Sequence, residues 1–454
     1  MKYTKMYEAI VKILKGEEQI SFAMSNIMAQ RIELWSALFQ NNEPWLNKTT
    51  QSMNLPATIA GEIARLVTLE MDTKVEGSSR AEYIDNIYQE TVDKLRIYVE
   101  YACAKGGLII KPYVADVGVC TQFVQADSFF PISFDDSGDI TRCVFLDQFR
   151  EGSAIYTRVE YHKIEGGVMT IKNRVFKAMT EGVLGAEIPI SSVPRWQTLT
   201  DQMVFDHVQK LPFGYLKIPL ANQEDNDSPL GVSCYSRGIH LIKDADIRYS
   251  QINWEYKSKE AAIHIAESLL KRNPDTQAFE YPAGDERLYR ELDYNSGAID
   301  KPLLDVYSPE IRDQSLFNGL NQQLRRIEFA CNLAYGTLSD PNNTDKTAEE
   351  IRASKQRSYS FVESCQGALQ NALEDYVAAI DFWATIYNLA PSGGYHVSYK
   401  WDDSIVVDTE KERQTDRADV AMGAMQLWEY RVKYYDEDPE TAKRMVAQPA
   451  NLIE

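Results

Sequence analysis

From Thr347 to about Leu389 one apolar face repeats for roughly forty residues, through Ile351, Val362, Cys365, Leu369, Leu373, Tyr376, Ile380 and Trp383. A helix of that length bends around a core or belongs to an assembly, because isolated helical propensity does not hold it. The spacing therefore predicts a long helix over 347–389 and a chain organised around it.

Two further helical patterns precede it. Ser228-Pro229 offers a capping hydroxyl with proline at the first helical position and opens a helix of about thirty residues, roughly 45 Å. Ser308-Pro309 opens a second, whose stripe is Leu316, Leu320, Leu324, Ile327 and Cys331 and which closes near Tyr335-Gly336. Between them, Pro274, Pro282, Gly284, Gly297 and Pro302 break up residues 262–306, so that stretch is expected to be a compact mixed insertion. The run GTLSDPNNTDK over 336–346 offers little to bury and reads as an exposed loop.

The first hundred residues read as mainly helical. Ile59, Ile63, Leu66, Val67 and Met71 lie on one face, and a second helix is expected to carry Tyr83, Ile87, Val92, Leu95 and Tyr98 before Gly106-Gly107. From about 107 to 220, runs such as GLIIKPYV, ITRCVFLDQF and AIYTRVEYHKIE predict an antiparallel sheet with turns at DDSGD and Gly166-Gly167. Asp135 and Asp136 lack the spacing and distant Glu of a calcium loop, so a plain hairpin turn is expected there. After Pro391, YHVSYKWDDSIVVD alternates like one or two strands, and an acidic helical tail follows. The fold class is α+β.

With 454 residues, the chain has ample material for several modules sharing cores. Its 44% apolar and 25% charged content is that of a folded protein. No apolar run approaches a membrane span, and the amino-terminal stretch lacks a signal-peptide pattern, so a chain neither spanning nor secreted is expected. Six scattered cysteines with no C-x-x-C pair predict reduced, mostly buried thiols. A net charge of -19 argues against a protein that grips nucleic acid by neutralising phosphates, but not against one that lets DNA slide.

Catalytic signatures are missing: there is no P-loop, dinucleotide fingerprint, nucleophile elbow or H-E-x-x-H. His162, His207, His240, His264 and His396 lack partners at metal-ligand spacing and read as surface or half-buried structural residues. Asp402 and Asp403 read as a solvated turn after a strand, against a carboxylate pair for acid-base or metal work. Asn47-Lys48-Thr49 and Asn342-Asn343-Thr344 read as loop composition.

The blocks AKGGLIIKPYV (104–114), FVQADSFFPISFDDSG (123–138), YTRVEYHK (156–163) and SPLGVSCYSRGIHLIKDAD (228–246) bear a family likeness. So do YSPEIRDQSLFNGLNQQLRRIE (307–328), YGTLSD (335–340), TAEEIRASKQRSY (347–359) and YKWDDSIVVD (399–408). In these blocks and their order the chain resembles the portal proteins of tailed bacteriophages, specifically the branch common in phages and prophages of low-GC Gram-positive bacteria. The resemblance implies a homo-oligomeric, dodecameric ring at one capsid vertex, through which double-stranded DNA is packaged and ejected without sequence specificity. It implies no catalytic residue, cofactor, metal or membrane. Its implied partners are the terminase large subunit, a head-completion or adaptor protein, and the major capsid and scaffolding proteins. Location in the virion, and in host cytoplasm during assembly, goes with that role.

Mapped by that resemblance, 1–227 and 347–408 form a wing, 228–261 and 307–335 two stem helices, 262–306 a clip, 336–346 a tunnel loop and 409–454 a crown. The implied tunnel-loop contacts are Ser339, Asp340, Asn342, Asn343, Thr344, Asp345 and Lys346. Stem channel residues would be Lys243, Arg248, Lys257, Lys259, Arg312, Arg325 and Arg326, making exchanging phosphate contacts or solvated and intersubunit ion pairs. Clip docking would use Lys271, Arg272, Phe279, Tyr281, Arg287, Tyr289 and Arg290. The readings that compete are a non-viral oligomeric scaffold and an enzyme with an unrecognised site.

Overall fold

A computed structural model describes residues 2–17, 22–69, 71–258, 262–266, 271–272, 279–280, 289–292, 304–307, 313–340, 348–401, 409–435 and 437–447. The amino-terminal part is α1 (Lys2–Glu17), α2 (Asn26–Phe39), α3 (Leu55–Thr68), β1 (Met71–Gly77), α4 (Ser79–Val92) and α5 (Leu95–Lys105). The expected face of α3 is the buried one, with Ile59, Ile63 and Val67 at its centre. Two expectations fail here. Met71 begins a strand rather than extending α3, because Thr73 and Val75 alternate inward with period two and the strand finds a partner far along the chain. The single helix expected through Tyr83 and Tyr98 is two, parted at Asp93-Lys94, with Ile84, Tyr88 and Thr91 buried in the first and Leu95 and Val99 in the second.

The strand-rich middle holds β2 (Gly107–Ala115), β3 (Gly118–Gln125), β4 (Phe129–Phe134), β5 (Ile140–Glu151), β6 (Ala154–Glu165), β7 (Val168–Ala178), β8 (Ala186–Ile188), β9 (Gln202–Phe205) and β10 (Gly214–Lys217). It forms two antiparallel sheets, not one. The first runs β10-β2-β3; the second is the meander β4-β5-β6-β7-β8, with β9 also paired to β7. The expected turn at DDSGD is a hairpin turn in which Asp135 Oδ1 accepts from the amides of Ser137 and Asp139, both at 2.9 Å. Asp139 pairs with Lys210 at 2.8 Å.

Then follow α6 (Ile239–Ser258), β11 (Ala262–Ala266), β12 (Lys271–Arg272), β13 (Phe279–Glu280), β14 (Tyr289–Leu292), β15 (Leu304–Tyr307) and α7 (Asp313–Ala330). The insertion between the two helices holds a small sheet, β14-β11-β15, parallel across β11/β14 and antiparallel across β11/β15, and a separate antiparallel pair, β12-β13.

The chain ends with α8 (Ala348–Ile386), β16 (Tyr395–Trp401), α9 (Thr409–Met422), α10 (Leu427–Tyr435) and α11 (Pro439–Ala447). Helix α8 spans 39 residues, close to the expected bounds, and Val362, Cys365, Leu369, Leu373, Tyr376, Ile380 and Trp383 are all buried. It lies against the three-stranded sheet at Gly214, where a Cβ would meet the carbonyl oxygen of Ala372 at 2.0 Å. Only glycine permits that approach. Strand β16 pairs antiparallel with β1, from Met71 opposite Trp401 to Gly77 opposite Tyr395. One apolar core joins α1 to α8 and both sheets.

Candidate channel face and loop root

Helix α6 begins at Ile239, about ten residues later than Ser228-Pro229 predicts. Residues 228–235 are instead non-helical chain, buried except at half-buried Pro229. The Cys234 amide donates to the Cys103 carbonyl at 2.9 Å, and the Tyr235 hydroxyl to that of Trp35 at 2.8 Å. The first pairs one backbone amide of this stretch outside any helix, and together they anchor the start of α6 to α2 and α5.

Three further contacts fix α6. Asp246, wholly buried, accepts from Trp45 Nε1 and from the Met53 amide, each at 2.8 Å. Burial pushes its carboxyl up from the ordinary value, against the pull of those two donors. Ser250 Oγ takes the Gln51 amide at 2.8 Å. On the other side α7 packs antiparallel to α6: Gly238 faces Cys331, Gln323 Nε2 donates to the Leu241 carbonyl at 3.1 Å, and the Tyr256 and Phe317 rings lie 6.4 Å apart. The predicted α7 stripe is buried at Leu320, Leu324, Ile327 and Cys331 and half-buried at Leu316.

This hairpin separates its charges by depth. Asp246, Glu255 and Glu328 are buried. The exposed charges are Lys243, Asp244, Arg248 and Lys257 on α6 and Asp313 and Arg326 on α7, with Arg325 half-buried. None of Lys243, Arg248, Lys257 and Arg326 joins an ion pair among the described residues. Two helices that are neutral by count, in a chain of net charge -19, thus show a basic surface. Lys259 and Arg312 lie outside the described residues.

The expectation of a wholly exposed loop over 336–346 fails at its root. Wholly buried Glu328 accepts from the amides of Gly336 (3.1 Å), Leu338 (2.7 Å) and Ser339 (2.8 Å) and from Ser339 Oγ (2.9 Å). Ser339 is itself buried, and Asp340, exposed, has its amide on Asn321 Oδ1 at 2.8 Å. From the other helix, Ser354 Oγ takes the Tyr335 amide at 2.7 Å. Arg357 Nη2 donates to the Leu333 carbonyl at 3.2 Å, with its guanidinium 4.5 Å from the Phe329 ring centre. Composition pointed to solvent, but a carboxylate on the inner face of α7 needs donors, and the turn supplies them. The signal was present: Glu328 sits between Ile327 and Cys331 on the apolar stripe. Asn342, Asn343, Thr344, Asp345 and Lys346 lie outside the described residues.

In the insertion, Lys271 pairs in register with Glu280 and Arg272 with Phe279, while Tyr289 and Arg290 stand opposite Ile263 and His264. Tyr281, Arg287, Asp402 and Asp403 are outside the described residues. His162 is fully buried, where a surface or half-buried residue was expected; His207, His240 and His396 are exposed. All six cysteines are free thiols, Cys120 alone being incompletely buried. Among the described residues no group of three or more His, Cys, Asp and Glu side chains is placed to hold a metal, and no helix is long and apolar enough to cross a membrane.

Among curated proteins none matches the chain. A chain of a solved structure described as "Neck of native GTA particle computed with C12 symmetry" is similar to it with TM-score 0.40 and 10% identity, covering 87% of this chain and 90% of that one. The family described as "Phage portal protein, SPP1 Gp6-like" matches residues 1–429, nearly the full length. The chain belongs to that family of phage portal proteins.

Proposed function

We propose that this chain assembles into a ring, dodecameric by the resemblance, at one vertex of a phage capsid, and that double-stranded DNA enters and leaves through it. The observation that carries the channel reading is the basic surface of the α6–α7 hairpin. Lys243, Arg248, Lys257 and Arg326 touch phosphates weakly and exchangeably, while the acidic remainder of the ring keeps the duplex from sticking. The segment 262–306, with Lys271, Arg272, Phe279, Tyr281, Arg287, Tyr289 and Arg290, is the docking surface for the terminase large subunit and later for a head-completion adaptor. Major capsid and scaffolding proteins surround the ring. The protein acts in the virion after assembling in host cytoplasm.

The test is a portal-null phage complemented with Lys243→Glu, Arg248→Glu, Lys257→Glu and Arg326→Glu together. Rings of unchanged mass, with less nuclease-protected DNA per particle, are expected. Wild-type DNA content would remove the stem from the channel.

A further inference from the structure

The chain reversal between α7 and α8 is built around one carboxylate. Glu328 has no exposed surface, and a buried charge is costly unless donors surround it. Its donors are the amides of Gly336, Leu338 and Ser339 and the Ser339 hydroxyl, a concave array of N–H groups of the kind that holds anions. Hydrogen bonds to an ionised acceptor are roughly twice as strong as neutral ones. Residues 336–339 are therefore fastened to α7, Asn321 fastens Asp340 to the same helix, and Ser354 and Arg357 fasten the preceding residues to α8.

We propose that Glu328 is a positioning residue that clamps residues 336–339 between α7 and α8 and so fixes exposed Asp340 against the passing DNA. The proposal rests on the channel reading above and adds to it a carboxylate-dependent device at the turn between α7 and α8. Replacing Glu328 by Ala leaves a small cavity lined by N–H groups, which a free carboxylate of matching size fills and a neutral amide does not.

The experiment is hydrogen exchange on the purified full-length protein, wild type against Glu328→Ala and Ser339→Ala. Amides of Gly336, Leu338 and Ser339 are expected to exchange at least about tenfold faster in Glu328→Ala, with α6 amides unchanged. Added acetate is expected to restore protection, and acetamide is not. Ser339→Ala, which keeps the carboxylate and all three of its amide donors in place, is expected to give a smaller rise and serves if Glu328→Ala does not fold. In particles, Glu328→Ala is expected to lower nuclease-protected DNA at unchanged ring mass. Unaltered exchange in both variants, or equal rescue by acetamide, overturns the clamp. Faster exchange with normal DNA content overturns the positioning role while leaving the channel reading to the stem-charge variant.

Discussion

At the scale of residues, the clearest case is buried Lys111, Glu160 and His162 with half-buried Arg158, a set that joins β2 to β6 across the two sheets. Glu160 meets Lys111 Nζ and His162 Nε2 (2.6 Å) through one oxygen and Arg158 Nη2 (3.0 Å) through the other. Burial alone would raise its carboxyl, but Lys111, His162 and Arg158 outweigh it and hold it well below the ordinary 4.5. Burial wins at His162, whose imidazole is lowered from 6.5 despite Glu160. Both shifts are downward, so the unfolded chain binds each proton first as pH falls. The stability tied to His162 is present above 6.5 and drains as pH drops below it; that tied to Glu160 drains lower, from 4.5 downward. The unfolding temperature is thus expected to fall between pH 7 and pH 5.5, and His162→Gln, which can still donate to Glu160, to flatten that slope. A slope unchanged in His162→Gln would place the acid sensitivity elsewhere. Glu160→Gln leaves buried Lys111 without its carboxylate and is expected to cost about 3–5 kcal/mol by denaturant unfolding. Little of this was legible in the sequence. Lys111 inside GLIIKPYV hinted at a buried cation, but its partner is 49 residues away and in another sheet.

At the scale of elements, legibility followed the apolar period. Helices α3 and α8 carry long stripes and lie within a few residues of their expected bounds, and α7 buries its expected stripe but ends at Ala330, short of Tyr335-Gly336, whereas β1 is seven residues long and its partner β16 lies more than 300 residues later. Local pattern cannot register such a pairing. The start of α6 was misplaced because Ser228-Pro229 is a genuine capping pattern, overridden by the tertiary hydrogen bonds of Cys234 and Tyr235. The true junction is set by Gly238, where a Cβ would stand 2.9 Å from Cys331 Sγ. Glycine to alanine ordinarily favours a helix by up to about 1 kcal/mol. Here Gly238→Ala is expected to destabilise the fold by about 1–3 kcal/mol through overpacking. Cys331→Ala opens the space, so the double variant should lose less than the two single losses combined. Denaturant midpoints of all four proteins measure the coupling, and additive losses would show that the helices do not meet there.

At the scale of the whole molecule, the hairpin keeps apolar surface that the subunit does not use. Trp254, Tyr256 and Phe317 are 66%, 43% and 46% exposed at the ends of α6 and α7 that lead to the insertion, and the Tyr256 and Phe317 rings lie 6.4 Å apart. Clustered exposed aromatics mark contact with another molecule. In a closed ring each subunit offers the same two faces to its neighbours, so these side chains are expected to be covered by the adjacent copy. Trp254→Glu with Phe317→Glu removes apolar area from the seam without emptying any space inside the subunit. The variant is therefore expected to keep its unfolding temperature but to shift, in light scattering at micromolar concentration, from ring mass toward 51.8 kDa. Salt separates this from a seam held by ion pairs. Subunits carrying -19 each repel as they close, and screening over a Debye length of about 8 Å relieves that repulsion while leaving apolar burial intact. Wild-type rings should persist or tighten as salt rises. Rings that dissolve in salt, or a double variant of full ring mass, would assign closure to charged contacts elsewhere on the subunit.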